Sequence, residues 1–318
     1  AILDLFYSRN REMNPEEATV QMDDQNRAVR MDIVSRCVVD LSAVAAFRDL
    51  RQFAVGAASE WAFLGKGDPI CRLDDIAALR GLPLETLSVN LSMIRDLSPL
   101  RGMNLKKIHV SNCPVSDVGP IKDMATLDDL RLRNTDVKDL ALLRGLKLRQ
   151  LDVAGSRIFE IRALAGMPLE HLDISDTQVK DIAMLKGMPL KSLVMNRTRI
   201  FAFTVLKDLS LRCLEAEETQ LRDMTLIKHM VLDRLCLSGT GISDISALKD
   251  MPLKHLTLGD CMVMDFSVLA GMPLRHLDLR GTRLDTLDVL KDMKLEHLDI
   301  SNTKVWDLSP IESLPLAH

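Results

Sequence analysis

A leucine recurs at a fixed interval along most of this chain. With the leucine after Pro168 as position 1, the same slot holds Leu84, Leu105, Leu127, Leu148 and Leu169, and continues through Leu190 to Leu316. Neighbouring members lie 21 residues apart, except for one step of 22 at Ala125-Thr126. The frame LxxLxLxxTxVxDxxxL returns around each leucine, and Gly166 to Lys186, GMPLEHLDISDTQVKDIAMLK, shows it in full. A unit this short cannot bury its apolar positions alone, so copies must stack, each touching only its neighbours. That constraint overrides the length argument by which 318 residues would suggest two domains.

The period and its apolar slots predict an α/β fold, a leucine-rich repeat solenoid of about thirteen or fourteen 21-residue repeats. A curved parallel sheet is expected on the concave side and short helical turns on the convex side. Strands should occupy positions 3–6, with positions 4 and 6 pointing inward and 3, 5 and 7 facing out. Position 9 holds a hydroxyl or thiol in every repeat, from Cys71, Ser92 and Cys113 to Thr177, Thr240 and Thr303, and should be buried to satisfy backbone groups of the turn. Position 13 is usually aspartate, as at Asp96, Asp181 and Asp244, and is expected to cap the helical turn. In Asp96-Leu97-Ser98-Pro99 the serine is an alternative cap, with proline at the first helical position. Gly-Met-Pro then closes the unit, glycine permitting positive φ and proline leading into the next strand.

The N-terminal part departs from the frame. Residues 1 to about 13 place Ile2, Leu5 and Phe6 at helical spacing, and Asn14-Pro15 ends that segment. Thr19–Met22 and Val29–Ile33, separated by Asp23 to Arg27, predict a hairpin whose second strand opens the first, degenerate repeat. Residues 1–27 are therefore expected to cap the apolar end, and 28–318 to form the repeats. The second repeat carries an insertion, roughly 56–69, with Trp61, Phe63 and Gly65-Lys66-Gly67. Insertions in such stacks map to surface loops, often on the binding face. The plainer reading folds these aromatics back onto the N-terminal cap.

Composition excludes several classes. The net charge is −4, from 41 basic and 45 acidic residues, so no global field recruits nucleic acid or anionic membrane. Aromatic residues make only 3% of the chain, poor material for stacking bases or sugars. No apolar run approaches the roughly 18–20 residues of a membrane span, and no signal peptide is visible. A cytoplasmic location, a monomer and free thiols are expected, with Cys71, Cys113 and Cys261 in buried position-9 slots. Cys213 and Cys236 are diagonal neighbours, a geometry poorly matched to a disulfide. The chain begins at Ala1 without methionine and stops at His318 in mid-repeat, which reads as a piece of something longer or a processed chain.

The recurrent GMPLxxLDxSxTxVxDxxxLKGM unit, as in Gly166 to Met188, resembles the leucine-rich repeat tails of planctomycete-type bacterial proteins, many fused behind a serine/threonine kinase domain. The lead-in is similar too: Asn14-Pro15, a hairpin, Val39-Asp40-Leu41-Ser42, and Gly65-Lys66-Gly67 before Leu73-Asp74-Asp75-Ile76. More distantly, the repeats resemble internalin-like and phosphatase-regulator-like ones. The resemblance implies a partner-binding tail and transfers no catalytic residue, since the chain has no Gly-rich loop, HRD or DFG motif.

Four histidines share position 3: His171, His255, His276 and His297. The last three should stack about 4.8 Å apart on successive strands, with Asp278 and Asp299 two residues on and pointing the same way. Three ligands in line on a flat sheet do not enclose an ion, so no metal and no cofactor are expected. Lys106 and Lys107 beside Asp128 and Asp129, Arg131 beside Asp152, and Arg212 beside Asp233 should pair across strands. An acidic exception near Asp173, Asp176, Glu215, Glu217 and Glu218 suits a basic segment. Position 12 is normally polar, yet Phe159, Phe201, Met264 and Trp306 occupy it, and Ala202 replaces the capping aspartate beside Phe201. These features predict a non-enzymatic module that binds a protein or peptide through its concave face and the inserted loop. The named contact residues are Trp61, Phe63, Lys66, Phe159, His171, Asp173, Phe201, Glu215, His255, His276 and His297. The alternative is a regulatory or substrate-docking tail of a larger signalling enzyme.

Overall fold

The computed structural model describes residues 2–56 and 71–316. The chain packs as two compact units, Ala1–Leu169 and Glu170–His318. In the first, β1 (Ala18–Met22) and β2 (Ala28–Ile33) form an antiparallel hairpin. From β2 the pairing turns parallel, through β3 (Gln52–Val55), β4 (Thr86–Val89), β5 (Lys107–His109), β6 (Asp129–Arg131) and β7 (Gln150–Asp152). The second unit is parallel throughout its described strands: β8 (His171–Asp173), β9 (Ser192–Val194), β10 (Cys213–Glu215), β11 (Arg234–Cys236), β12 (His255–Thr257), β13 (His276–Asp278) and β14 (His297–Asp299). Sequence order is spatial order in each. Equal repeat length makes the register exact by position, so Leu214 faces Leu235 and Leu235 faces Leu256. Most strands cover positions 3–5, one residue shorter than the sequence suggests, because position 6 already turns into the bend.

Positions 4 and 6 supply the core: Leu172 and Ile174, like Leu87 and Val89, are buried. Position 9 lies beneath them as expected, Thr177 donating to Ile174 O at 2.6 Å. Position 7 does not uniformly face out. Ala154, Ser175, Asn196 and Ser238 are buried there, because the chain is already bending inward after the short strand.

The connections opposite the sheet are 3-10 turns, such as Ser98–Leu100, Ala183–Leu185 and Ser246–Leu248. The position-13 carboxylate serves them from one residue further out than predicted. Asp96 accepts the Ser98 N–H at 2.7 Å, while the backbone cap is Leu97. Asp181 and Asp244 repeat this with Ala183 and Ser246, both at 2.8 Å. Asp223 alone among the described position-13 aspartates sits at the cap itself. Ser98 does not cap: its hydroxyl donates to Asp96 Oδ2 at 2.7 Å. A tight three-residue turn leaves one N–H aimed outward, and the carboxylate two residues back reaches it without a cap geometry.

Position 8 is left-handed in every fully described repeat from Leu91 to Asn302. Asn112, Asn134, Asp176 and Asp260 take φ of 53 to 58°, Gly155, Gly239 and Gly281 take 64 to 70°, and Leu91, Arg197 and Glu218 take 53 to 57°. The chain must reverse its hand between strand and turn at that point, which favours Gly, Asn and Asp.

At the N-terminus, α1 (Ile2–Arg9) ends before the Asn14-Pro15 boundary read from sequence. Asn10 breaks it. Its buried side chain donates to Phe6 O and Asp40 O and accepts the Val39 and Asp40 N–H groups, at 2.8 to 3.0 Å. That pins the helix to the first repeat, with Phe6 buried beneath it. Asn14 instead caps the Pro15–Glu17 turn in a capping box. Among the described residues, no helix is long and apolar enough to cross a membrane.

Candidate functional site

In the second unit, parallel register places His255, His276 and His297 directly opposite one another on β12, β13 and β14. Their rings stack, with centroids 5.0 and 4.4 Å apart and planes within 13° and 22°. The strand spacing alone produces this, as position 3 repeats across the sheet. His171 is not part of the stack: its neighbour on β9 is Ser192.

Two residues on, Asp278 and Asp299 form a second row opposite each other. Each ends its strand by accepting the N–H of position 7, from Arg280 and Ser301 respectively, both at 2.9 Å. Asp173 does the same for Ser175 at 2.9 Å. These carboxylates therefore have a structural duty as well as an outward-facing oxygen. Between the imidazole and carboxylate rows runs a cleft of about 410 Å3, lined by His255, Thr257, His276, Asp278, His297 and Asp299 over Leu277 and Leu298.

The electrostatics of the cleft are uneven. Burial, then the charges of Arg234 and His276, push His255 down to about 4, against a smaller opposing pull from Glu215. Its Nδ1 is buried without a hydrogen-bond partner. Burial lifts the Asp278 carboxyl above its usual range, and Asp299 adds to this against the Arg280 N–H and guanidinium. Asp299 itself is held low by the Ser301 hydroxyl and N–H.

The acidic exception read from sequence is largely neutralised by arginines. Arg197 holds Asp176 through two bonds of 2.6 and 2.7 Å and lies 3.8 Å from Glu218. Arg234 holds Glu215 at 2.7 Å, and Glu217 accepts the Thr257 hydroxyl at 3.0 Å. Sequence reading overlooked Arg197 and Arg234 because each occupies a slot without a charge preference in the frame.

Other cross-strand pairs differ in partner. Arg212 does meet Asp233 at 3.4 Å. Lys106, however, pairs with Glu85 at 2.7 Å rather than with Asp128. Asp129 lies opposite Lys107 but bonds His109 at 3.0 Å and Arg131 at 3.3 Å. Arg131 faces Asp152 in register, yet Arg133 takes that carboxylate at 2.9 Å. His109 and Asp129 are both buried. Burial alone would raise Asp129, but the His109 bond and the charges of His109 and Arg131 outweigh it and hold the carboxyl low. The signal available in sequence was Asp129 at position 3 beside a position-5 histidine.

Phe159 in the first unit is exposed, as are Phe201, Met264 and Trp306 in the second, with Trp306 at 87%. The turn after Phe201 spans five residues, Thr204–Asp208. Trp61, Phe63 and Lys66 lie outside the described residues. All six cysteines are free, and burial, then Glu215, pushes Cys236 up to about 12. Among the described residues, no three His, Cys, Asp or Glu side chains are arranged to hold a metal ion.

No protein-family model matches the chain, and no curated protein matches it. Solved structures do. An internalin F from Listeria monocytogenes is 17% identical, with a TM-score of 0.68 over 100% of this chain and 94% of that one. The chain has the leucine-rich repeat fold. A leucine-rich repeat protein of Leptospira interrogans matches at 15% identity and TM-score 0.52, over 91% of this chain and 90% of its own. The plant peptide hormone receptor RGFR1, solved in complex with RGF2, matches at 14% identity and TM-score 0.59, over 89% of this chain and 56% of that chain. In this leucine-rich repeat chain the polar groups of positions 9 and 13 are accounted for by turn geometry. The position-3 row of β12–β14 has no such duty.

Proposed function

We propose that this chain is a non-catalytic protein-interaction module that takes a protein or peptide on the outward face of its strands. The observation that carries this reading is the His255–His276–His297 stack with its cleft: outward side chains in register, spent on no turn, cap or strand end. The plant receptor with the same fold was solved with a peptide hormone bound, which supports the class of partner. The inserted segment with Trp61, Phe63 and Lys66 supplies a second contact, and exposed Phe159 and Phe201 mark further edges. Attachment to a larger signalling enzyme, as a docking tail, is the finer form of this reading and rests on the repeat resemblance.

Selection from a displayed random-peptide library tests it. The intact chain should enrich peptides whose binding drops at least about tenfold in His276→Ala, with its melting curve unchanged. No enrichment over an immobilised carrier protein, or enriched peptides indifferent to this variant, overturns it.

A further inference from the structure

The outward faces of the two units carry opposite charge balances. On β4–β7 of the first unit, positions 3, 5 and 7 hold Lys107, Arg131 and Arg133 against Asp129 and Asp152. On β10–β14 of the second they hold Glu215, Glu217, Asp278 and Asp299 against Arg234 and Arg280. Arg234 is engaged by Glu215 at 2.7 Å, and Arg280 pairs with Asp278 at 3.4 Å. The excess of negative charge therefore falls on Glu217 and Asp299, the latter in one wall of the cleft. Asp299 Oδ1 takes both the Ser301 N–H and hydroxyl, which turns its Oδ2 toward an incoming donor.

The opposite wall is flat, aromatic and uncharged where it is deepest. Rings parallel to within 13° and 22° present a stacked edge, and His255 stays neutral through the neutral pH range. A planar cation fits between such walls better than a spherical one. Guanidinium is weakly hydrated, and its fork of donors spans two carboxylates on adjacent strands, about 4.8 Å apart. An ammonium offers a point charge and no planar fork of donors.

We propose, building on the interaction-module reading, that this cleft receives an arginine side chain of an extended basic peptide lying across β10–β14. The imidazole edges line one side of the guanidinium, Asp278 and Asp299 accept its N–H groups, and Glu217, which is in no ion pair among the described residues, meets a neighbouring basic residue.

The test is fluorescence anisotropy with labelled synthetic peptides of alternating Arg-Ser, Lys-Ser and Glu-Ser, at about pH 7.5 and about 0.15 M salt. The Arg-Ser peptide should bind the intact chain, Lys-Ser several-fold more weakly, and Glu-Ser not at all. Asp278→Asn plus Asp299→Asn should weaken Arg-Ser binding at least about tenfold. Asparagine keeps an oxygen for the Arg280 and Ser301 N–H groups, so the strand ends survive; circular dichroism checks this, and each single variant should lose about threefold should the double one unfold. Asp285→Asn plus Asp288→Asn removes the same charge from exposed sites off this face and should change binding less than about twofold. Equal losses in the two double variants would mean attraction by net charge and would overturn the proposal. So would full binding by the Asp278/Asp299 variant, or equal binding of Lys-Ser and Arg-Ser. Should library-selected peptides bind the strand face without basic residues, the arginine site falls and the module reading stands. Should no peptide of any kind bind, both fall.

Discussion

Thr240 and Cys261, one repeat apart at position 9, converge on a single carbonyl. The Thr240 hydroxyl donates to Leu237 O at 2.7 Å and the Cys261 thiol reaches the same oxygen at 3.2 Å. Leu237 O also receives the Thr240 N–H at 3.2 Å. A thiol at position 9 therefore bonds backward to the preceding repeat, as Cys113 does to Val89 O at 3.1 Å, whereas a hydroxyl bonds within its own.

This arrangement predicts unequal costs for the same substitution. Thr177→Val removes the 2.6 Å hydroxyl bond to Ile174 O and should destabilise the chain by about 1–3 kcal/mol. Thr240→Val leaves Leu237 O with the Cys261 thiol and the Thr240 N–H, and should cost about half as much. Urea melts of the two variants decide; equal losses would mean the shared carbonyl gives no compensation.

Position 8 predicts stabilising substitutions. Leu91 holds φ of 57° with a β-carbon that disfavours it, so Leu91→Gly should raise stability by about 0.5–1 kcal/mol despite the flexibility it adds to the unfolded chain. The reverse change, Gly281→Ala, should destabilise by about 1 kcal/mol or more, since φ is +64° and the new Cβ would collide with Asp260 Oδ1. Thermal melts of both variants should move in opposite directions.

The fold was legible because a fixed period imposes register: a leucine at near-constant spacing from Leu84 onward sets the strands of the repeats, and with them the histidine stack. What escaped reading was set by local geometry that several residue types satisfy. Leu91, Arg197 and Glu218 hide the left-handed requirement at position 8 that Asn and Gly elsewhere reveal. Asn10 ends a helix through three bonds to a segment some 30 residues on, which periodicity cannot foresee. Arg197 and Arg234 neutralise an acidic run whose sequence showed only its carboxylates.

His255 links stability to pH. Its folded value of about 4 lies below the ordinary 6.5, so the unfolded chain binds the proton first as pH falls. The neutral imidazole's contribution is fully present above about pH 6.5 and is lost progressively down to about pH 4. Discounted for its half-open position, the loss is on the order of 1 kcal/mol. His255→Gln should shrink the fall in stability between pH 7 and pH 5 relative to the intact chain, measured by urea melts at both. An unchanged pH dependence would show that the buried imidazole titrates normally.

The central claim, that the strand face around His276 and His297 is where a partner docks, is tested most directly by imidazole NMR. The Cε1–H signals of His276 and His297, assigned by single substitution, should shift saturably as a library-selected peptide is added, while His171 and His229 stay in place. Saturable binding that moves His171 or the Trp306 indole and leaves His276 and His297 unchanged would contradict it.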